Sequence, residues 1–558
     1  MPDNLVEITN LTKKFADKIE PAVDNITTTI EKGKITGLVG PDGAGKTTFI
    51  RLITRLLLPT EGEITLNTDD IGYMPQQFGL YEDLSVQQNL DLYADLQGVT
   101  GKERKKTFEK LLKFTSLTPF TQRLAGKLSG GMKQKLGIAC ALISKPQLLL
   151  LDEPSVGVDP ISRHELWSMV QELLKEGITV LWSTAYLDEA AQCENILLLN
   201  KGKLLYEGNP ADLTQKTKGR VFLIKETTVN KRQVLKQVLN EKGIIDGVIQ
   251  GSSIRILTDS KNKMPNYPEI ISVEPRFEDS FIDILGGGPG GESKLADMIE
   301  TKEKTNKPII EAKNLTKMYG DFAAAKDINF SVKSGEIFGL LGPNGAGKST
   351  IFKMMCGLTR PSSGEAVVKG LNLETASGKA RSNIGYMAQR FSLYRPLSVM
   401  QNLKFFSGVY GLKNKEQKEK IDRIIEIFQF EKYLNINSGE LPLGYKQRLA
   451  LSCAVMHEPE VLFLDEPTSG VDPITRREFW THINNMVEKG ITIMVTTHFM
   501  DEAEYCDRIS LIYKARAIAI DTPDELKNMA KTNKNPDPTM EDAFIELVNK
   551  NEKANSVN

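Results

Sequence analysis

The stretch GPDGAGKTT occupies residues 40–48, and GPNGAGKST repeats it at 342–350. Both satisfy G-x-x-x-x-G-K-[ST], through Gly40, Gly45, Lys46 and Thr47 and through Gly342, Gly347, Lys348 and Ser349. The β-rich KITGLVG and EIFGLLG precede them, and the helical KTTFIRLITRLLL and KSTIFKMMCGL follow, which is the strand-to-helix setting of a phosphate-binding loop. Glycines, Gly43 and Gly345 included, let backbone N–H groups converge on phosphate oxygens at a helix N-terminus. Lysine neutralises the β- and γ-phosphates, and the Thr47 or Ser349 hydroxyl suits Mg²⁺. Thr48 and Thr350 continue the same turn. ATP and Mg²⁺ are the ligands expected. A chance glycine loop is the bland alternative, and recurrence within a repeat speaks against it.

The echo extends outward from these loops. LTKKF (11–15) returns as LTKMY (315–319), IGYMPQ (71–76) as IGYMAQ (384–389), and LDEPSVGVDP (151–160) as LDEPTSGVDP (464–473). Gln76 and Gln389, Trp167 and Trp480, and Cys140 and Cys453 each lie 313 positions apart, whereas Lys46 and Lys348 lie 302 apart. The second copy therefore carries eleven extra residues between loop and glutamine, expected to lengthen a peripheral hairpin.

After GNPADL (208–213), matched by DTPDEL (521–526), the first copy gains a segment before PRFEDSFIDIL (275–285), whose counterpart is PTMEDAFIELV (538–548). Within the segment VFLIKE reads as a strand, NKRQVLKQVLNEKG as a helix, and IIDGVIQG and SIRILTD as strands joined by a glycine turn. The expected order is a first nucleotide-binding domain at 1–218, a small α+β subdomain at 219–285, a glycine-led flexible linker at 286–308, a second nucleotide-binding domain at 309–535, and a tail at 536–558.

Composition sets outer bounds. The 558 residues, 40% hydrophobic and 26% charged, suit several globular domains. Seventy-one basic residues against 72 acidic ones leave no electrostatic footprint for nucleic acid or an anionic membrane. The five cysteines have no framework or metal-site spacing and read as reduced, buried thiols of a cytosolic protein. No apolar run reaches the roughly 18 residues of a membrane span, and MPDNLVEITN lacks a secretory pattern. A cytoplasmic chain with no direct membrane insertion and no nucleic-acid partner is expected.

The apolar runs QLLLLDE and VLFLDE, then ITVLWST and ITIMVTT, read as strands buried on both faces of a parallel sheet. They place Asp152–Glu153 and Asp465–Glu466 at strand carboxyl ends, where ligands of open α/β sheets bind. The aspartates suit Mg²⁺ and the glutamates suit a base that polarises water. Charged helical stretches at about 87–125 and 400–438 complete an α/β core with a helical subdomain in each copy.

LSGGMKQ (128–134), just upstream of the acidic strand, resembles the signature of the ABC ATPase superfamily, and the resemblance covers nearly the whole chain twice. It implies tandem P-loop nucleotide-binding domains. Gln76 and Gln389 become Q-loop residues that sense Mg²⁺ and couple to a partner, Asp159 and Asp472 the D-loops, and Phe15 and Tyr319 adenine platforms. An aromatic at either place could instead belong to the core. Ser129, Gly130, Gly131 and Gln134 become signature residues that close on nucleotide held by the other copy's P-loop, with the two copies pairing within one chain.

Three departures stand out. At the second signature, LPLGYKQ (441–447), Pro442 replaces serine and Leu443 replaces glycine. Proline has neither N–H nor hydroxyl to give a phosphate, and each lost charge-assisted bond is worth about 1.5–3 kcal/mol. In the first copy STAYLDEAA carries Ala185 where TTHFMDEAE carries His498, the family's switch histidine. Asp42 stands where the second loop has Asn344, near phosphate or in solvent. In the implied sandwich the first two defects fall in one composite site, with Lys46, Gln76 and Glu153. The other site, with Lys348, Gln389, Glu466 and His498, keeps every element. His164, His457 and His482 read as structural or solvent-facing.

Such an ATPase needs something to drive. The P-x-x-E-D-x-F-I elements resemble tails of ATPases serving ABC-2-type exporters, which implies separately encoded transmembrane permeases docked near Gln76–Asn89 and Gln389–Asn402, and a peripheral position on the inner face of the cell membrane. A tandem sugar-importer ATPase and a ribosome-associated tandem translation factor are the alternatives. The latter's long basic connector is not matched by residues 286–308.

Overall fold

Leu148–Asp152, Thr179–Thr184 and Ile35–Val39 are buried at every position, because each runs inside a parallel sheet covered on both faces. In this computed structural model, which describes residues 4–556 save 17–19, 77–78, 226–229, 261–264, 306, 376–382, 390–392 and 534, they belong to the first of two units. That unit comprises Met1–Lys218, Pro275–Gly286 and Gly470–Pro473; the second comprises Gly219–Glu274, Gly287–Ser469 and Ile474–Asn558.

The first unit's six-stranded sheet runs in the order Ile71–Met74, Leu148–Asp152, Thr179–Thr184, Ile35–Val39, Asn195–Asn200, Lys203–Gly208, parallel except for the last strand. The P-loop leaves the carboxyl end of Ile35–Val39, where the strand order reverses, so the phosphate site lies at a topological switch point. An antiparallel sheet of Val23–Glu31, Asn4–Lys13 and Glu61–Leu66 packs through Val6, Ile8, Leu11 and Ile26 into the core around the P-loop helix. Val86–Leu96 and Gly101–Phe114 supply the expected helical subdomain.

The second unit repeats this plan with Ile384–Met387, Val461–Asp465, Thr492–Thr497, Ile337–Leu341, Arg508–Tyr513 and Arg516–Asp521, and with the helices Val399–Val409 and Asn414–Phe428. Its antiparallel sheet has a fourth strand, Leu371–Asn372, paired with Ser363–Val368, where the extra residues were expected to lengthen a hairpin; 376–382 lie outside the described residues.

The insert is the α+β body read from its pattern. Helix Lys231–Leu239 covers an antiparallel sheet ordered Ile244–Gln250, Ser253–Thr258, Val221–Ile224, Ile270–Ser272. The last strand had no signal in the sequence reading, and Glu226 of VFLIKE lies outside the described residues.

Three boundaries differ from the expectation. The insert stops at Glu274, and helix Phe277–Ile284 belongs to the first unit, where Ser280 Oγ meets Thr217 Oγ1 at 2.7 Å. Residues 290–302 are anchored, not loose. Leu295, Ala296 and Ile299 are buried in the second unit's core, and the Gly290 and Gly291 carbonyls accept bonds from Thr481 and Asn485. The tail is helix Met540–Ser556, anchored in that same core by Met540, Phe544 and Val548. The first P-loop helix also ends early, at Ile53, because Arg55 turns left-handed (φ 58°) and sends Leu56 and Leu58 into solvent.

Candidate functional site

Each P-loop opens its helix through a glycine in left-handed backbone, Gly45 at φ 107° and Gly347 at φ 106°. A Cβ on either would lie 2.2 or 2.3 Å from the carbonyl oxygen of Ala22 or Ala324, so only glycine fits. The lysines are drawn back across their own loops. Lys46 Nζ donates to the Gly40 carbonyl at 2.8 Å and Lys348 Nζ to the Gly342 carbonyl at 2.5 Å. Thr47, Thr48, Ser349 and Thr350 occupy the first helical turn, as the motif requires, with Gly43 and Gly345 in the loop before it.

At the neighbouring strand ends, Glu153 (φ 52°) and Glu466 (φ 49°) are non-glycine residues in left-handed backbone, a cost tolerated where a side chain must be aimed. Gln76 Nε2 donates to Glu153 Oε2 at 2.5 Å, and Gln389 Nε2 donates to Glu466 Oε2 at 2.7 Å. Lys46 Nζ is 3.4 Å from Glu153 Oε1. Lysine, glutamine and glutamate thus converge in both copies.

Beyond this shared frame the copies part. Glu466 Oε2 lies 3.3 Å from Nδ1 of His498, a ring that is 1% exposed. Burial alone would raise the Glu466 carboxyl, but His498, Lys348 and Gln389 together hold it below its ordinary value. In the first copy Ala185 offers no such partner. Thr496 makes a second difference that the sequence reading missed. Its hydroxyl donates to Asp465 Oδ1 at 2.5 Å and accepts from the Glu466 N–H at 2.9 Å, whereas the buried Ser183 hydroxyl at the matching place has no partner of good geometry. The signal was present in ITVLWST against ITIMVTT as a serine for a threonine in equal register.

Both aspartates could serve a divalent cation. Neither oxygen of Asp152 receives a hydrogen bond of good geometry, Asp465 receives one, and burial pushes both carboxyls up to about 6. A buried carboxylate left short of donors beside a P-loop hydroxyl is the donor set that Mg²⁺ takes.

The signature helices begin differently. Ser129 caps Gly130–Ala141 by accepting from Met132 N–H at 3.3 Å, and a Cβ on Gly131 would meet Ser162 at 2.9 Å. Pro442 heads Leu443–Val455 with no side-chain cap. Gln134 is buried at 2% exposure, facing inward as Gln447 does. Asp159 caps the helix Pro160–Lys175 through Ser162 N–H at 3.1 Å. Phe15 and Tyr319 lie outside the core, each with a lysine over its ring, at 5.5 and 5.1 Å; Asp42 is exposed. Of the other histidines, His164 is exposed, His457 stacks on Tyr410, and His482 bonds Ser293 Oγ.

Behind each site is a buried glutamate that sequence reasoning passed over. Glu189 Oε2 accepts from Ser155 Oγ, Trp182 Nε1 and Thr184 Oγ1 at 2.8, 2.9 and 2.7 Å. Glu502 plays the same part for Thr468 and Thr497. Each ties the segment after the acidic pair to the strand leading to Ala185 or His498. Its signal was the recurrence of DEA at the constant offset.

Past Gln76 and Gln389, the buried Asn89 and Asn402 fold the loops that follow, Asn89 Oδ1 accepting from Tyr81 N–H and Asn402 Oδ1 from Tyr394 N–H, both at 2.9 Å. Tyr81 and Tyr394 are left half exposed. Residues 77–78 and 390–392 of the expected permease-facing segments lie outside the described residues. Among the described residues no helix is long and apolar enough to cross a membrane.

The ABC transporter family profile matches residues 23–156 and 325–469. Over its full length the chain is 57% identical to a protein of Escherichia coli (strain K12) named "Probable multidrug ABC transporter ATP-binding protein YbhF", covering all of both chains. It is 26% identical to a "Putative ABC transporter ATP-binding protein" of Methanosarcina mazei, over 93% of this chain and 89% of that one. A further relative, "Linearmycin resistance ATP-binding protein LnrL" of Bacillus subtilis (strain 168), is 38% identical over 39% of this chain and 70% of its own length. Two P-loop cores in tandem, each matched by the profile and both spanned by a full-length relative, place this chain in the family of ABC transporter ATP-binding proteins, as an ATPase with two nucleotide-binding domains.

Proposed function

We propose that the chain is the energising subunit of a membrane exporter of ABC-2 type that moves drugs or other amphipathic compounds, working with separately encoded permeases on the inner face of the cell membrane. The observation that carries this reading is the end-to-end identity with a protein whose name assigns it to multidrug transport. The exposed Tyr81 and Tyr394, presented on loops folded by Asn89 and Asn402, suit docking of a permease element. Co-expression with candidate polytopic permeases should bring the chain to membranes. Salt-sensitive sedimentation with ribosomes, without permease-dependent recruitment, would instead favour a translation factor.

Within this reading the second copy hydrolyses ATP and the first binds it and turns over slowly. Glu466 polarises the attacking water, while His498 and Gln389 orient that carboxylate. Thr47 with Asp152, and Ser349 with Asp465, would hold Mg²⁺, which would supply neutralisation of phosphate charge. Lys46 and Lys348 cradle phosphate, and Phe15 and Tyr319 offer faces to adenine. Ser129–Gly131 keep the donors of an intact signature, and Pro442 and Leu443 leave the second signature poor in donors.

A further inference from the structure

Helices Pro160–Lys175 and Pro473–Glu488 leave the two D-loops in the same way, yet they are clothed differently. Along the first, His164, Ser168, Glu172 and Lys175 are exposed. At the four matching positions of the second, Arg477, Thr481, Asn485 and Glu488 are all bonded to the insert or to the stretch that follows it. Arg477 Nη1 lies 3.0 Å from Asp246 Oδ2, with side chains 6% and 8% exposed. Thr481 and Asn485 donate to the carbonyls of Gly290 and Gly291 at 3.3 and 3.0 Å, and Glu488 Oε1 accepts from Asn230 at 2.7 Å. Arg232 adds bonds to Asn484 Oδ1 at 3.1 Å and to Asp507 Oδ2 at 2.8 Å. All of these residues belong to the second unit.

The Asp246–Arg477 pair is an expensive way to glue two surfaces. Desolvating both ions cancels much of their attraction, and apolar residues of the same volume would hold as well. What a dry ion pair adds is orientation, since each charge has one acceptable position. The backbone passes close by, since a Cβ on Gly288 would lie 2.1 Å from Asp246 Oδ1 and would push the carboxylate aside. Arg477 stands five residues beyond Asp472, on the second turn of the helix that Pro473 opens. The insert, meanwhile, is spliced at both ends into the first unit, through Lys218 and Pro275.

We propose that the insert is a positioning brace for ATP hydrolysis in the second copy, with Asp246 holding Arg477 and, through the helix, the D-loop residue Asp472. The proposal rests on the second copy being the hydrolytic one. It gives the insert a task in the reaction cycle of the second copy. Asp246 and Arg477 are positioning residues and touch no nucleotide.

The test uses the full chain, whose turnover reports the second copy on the reading above. Asp246→Asn and Arg477→Met should each lower kcat about ten- to hundredfold, as small misplacements near a reacting centre do, with KM for ATP held within about twofold. The charge-keeping variant Arg477→Lys should retain more of kcat than Arg477→Met. An unchanged kcat overturns the brace. So does a joint fall in kcat, nucleotide affinity and melting temperature that Arg477→Lys does not lessen, since that marks a merely structural contact. If the single variants do not fold, Gly288→Ala, which crowds the carboxylate without removing a charge, reads the same tie by the same criteria. Turnover that survives Glu466→Gln ends the reading beneath the proposal, while unchanged kcat in the Asp246 variants of a chain that Glu466→Gln silences ends the brace alone.

Discussion

Glu466 Oε2 and His498 Nδ1 stand 3.3 Å apart, both buried, and the first copy has Ala185 at the position matching His498. Removing one positioned group that acts in the transition state costs about 10²- to 10³-fold. Glu466→Gln should therefore nearly abolish ATP turnover, and Glu153→Gln should leave most of it. Steady-state ATPase assays of the two variants decide, and equal losses would sink the asymmetry.

His498→Ala should cost about 10²-fold in kcat while nucleotide affinity stays close to that of the parent. It copies into the second copy what the first already has. A comparable loss of nucleotide binding, read by fluorescent-nucleotide titration, would mean that the ring serves binding instead.

Glu189→Ala should destabilise the first unit by roughly 3 kcal/mol or more, because a hydroxyl pair and an indole N–H lose their common acceptor, at about 1–3 kcal/mol each. Glu189→Gln should cost less, since one acceptor oxygen survives. Denaturant unfolding of the full chain, followed through tryptophan fluorescence, checks both.

Ser129→Ala removes the cap of the first signature helix and should cost about 1 kcal/mol; Pro442→Ser should gain up to a similar amount by supplying one. The shift in thermal midpoint gives the sign in each case.

Acid should loosen the seat of the insert on Asp524. Burial pushes that carboxyl up, but Lys527 and Ser252 more than offset it, so its folded value lies below the ordinary one. A depressed carboxylate contributes stability above the unfolded value of about 3.9, and that stability drains away as pH falls through the folded value. Hydrogen exchange in the turn at Gly251–Ser252 should quicken below about pH 4 in the parent, and should lose that pH response in Asp524→Asn.

Much of the architecture was legible in the chain itself. The P-loops, acidic pairs and glutamines depend on residue types at short, fixed spacings, because backbone convergence on phosphate and burial in a parallel strand are local demands. The absent switch histidine and the proline in the second signature were equally visible, since a repeat supplies its own reference. The insert's helix and three of its strands followed from period and turn chemistry, whereas the short strand Ile270–Ser272 offered too few residues to show a period.

Only the tertiary structure decided the rest. That Glu189 and Glu502 are hubs and not solvated acids, that the Thr496 hydroxyl bonds Asp465, and that residues 290–302 are held fast all depend on which atoms long-range packing brings within bonding distance. The same holds for the insert, which follows the first copy in sequence but closes Asp246 onto Arg477 of the second. A sequence states which groups can bond. Where distant segments meet, burial selects the partners, because a charge taken out of water must find its counterion there.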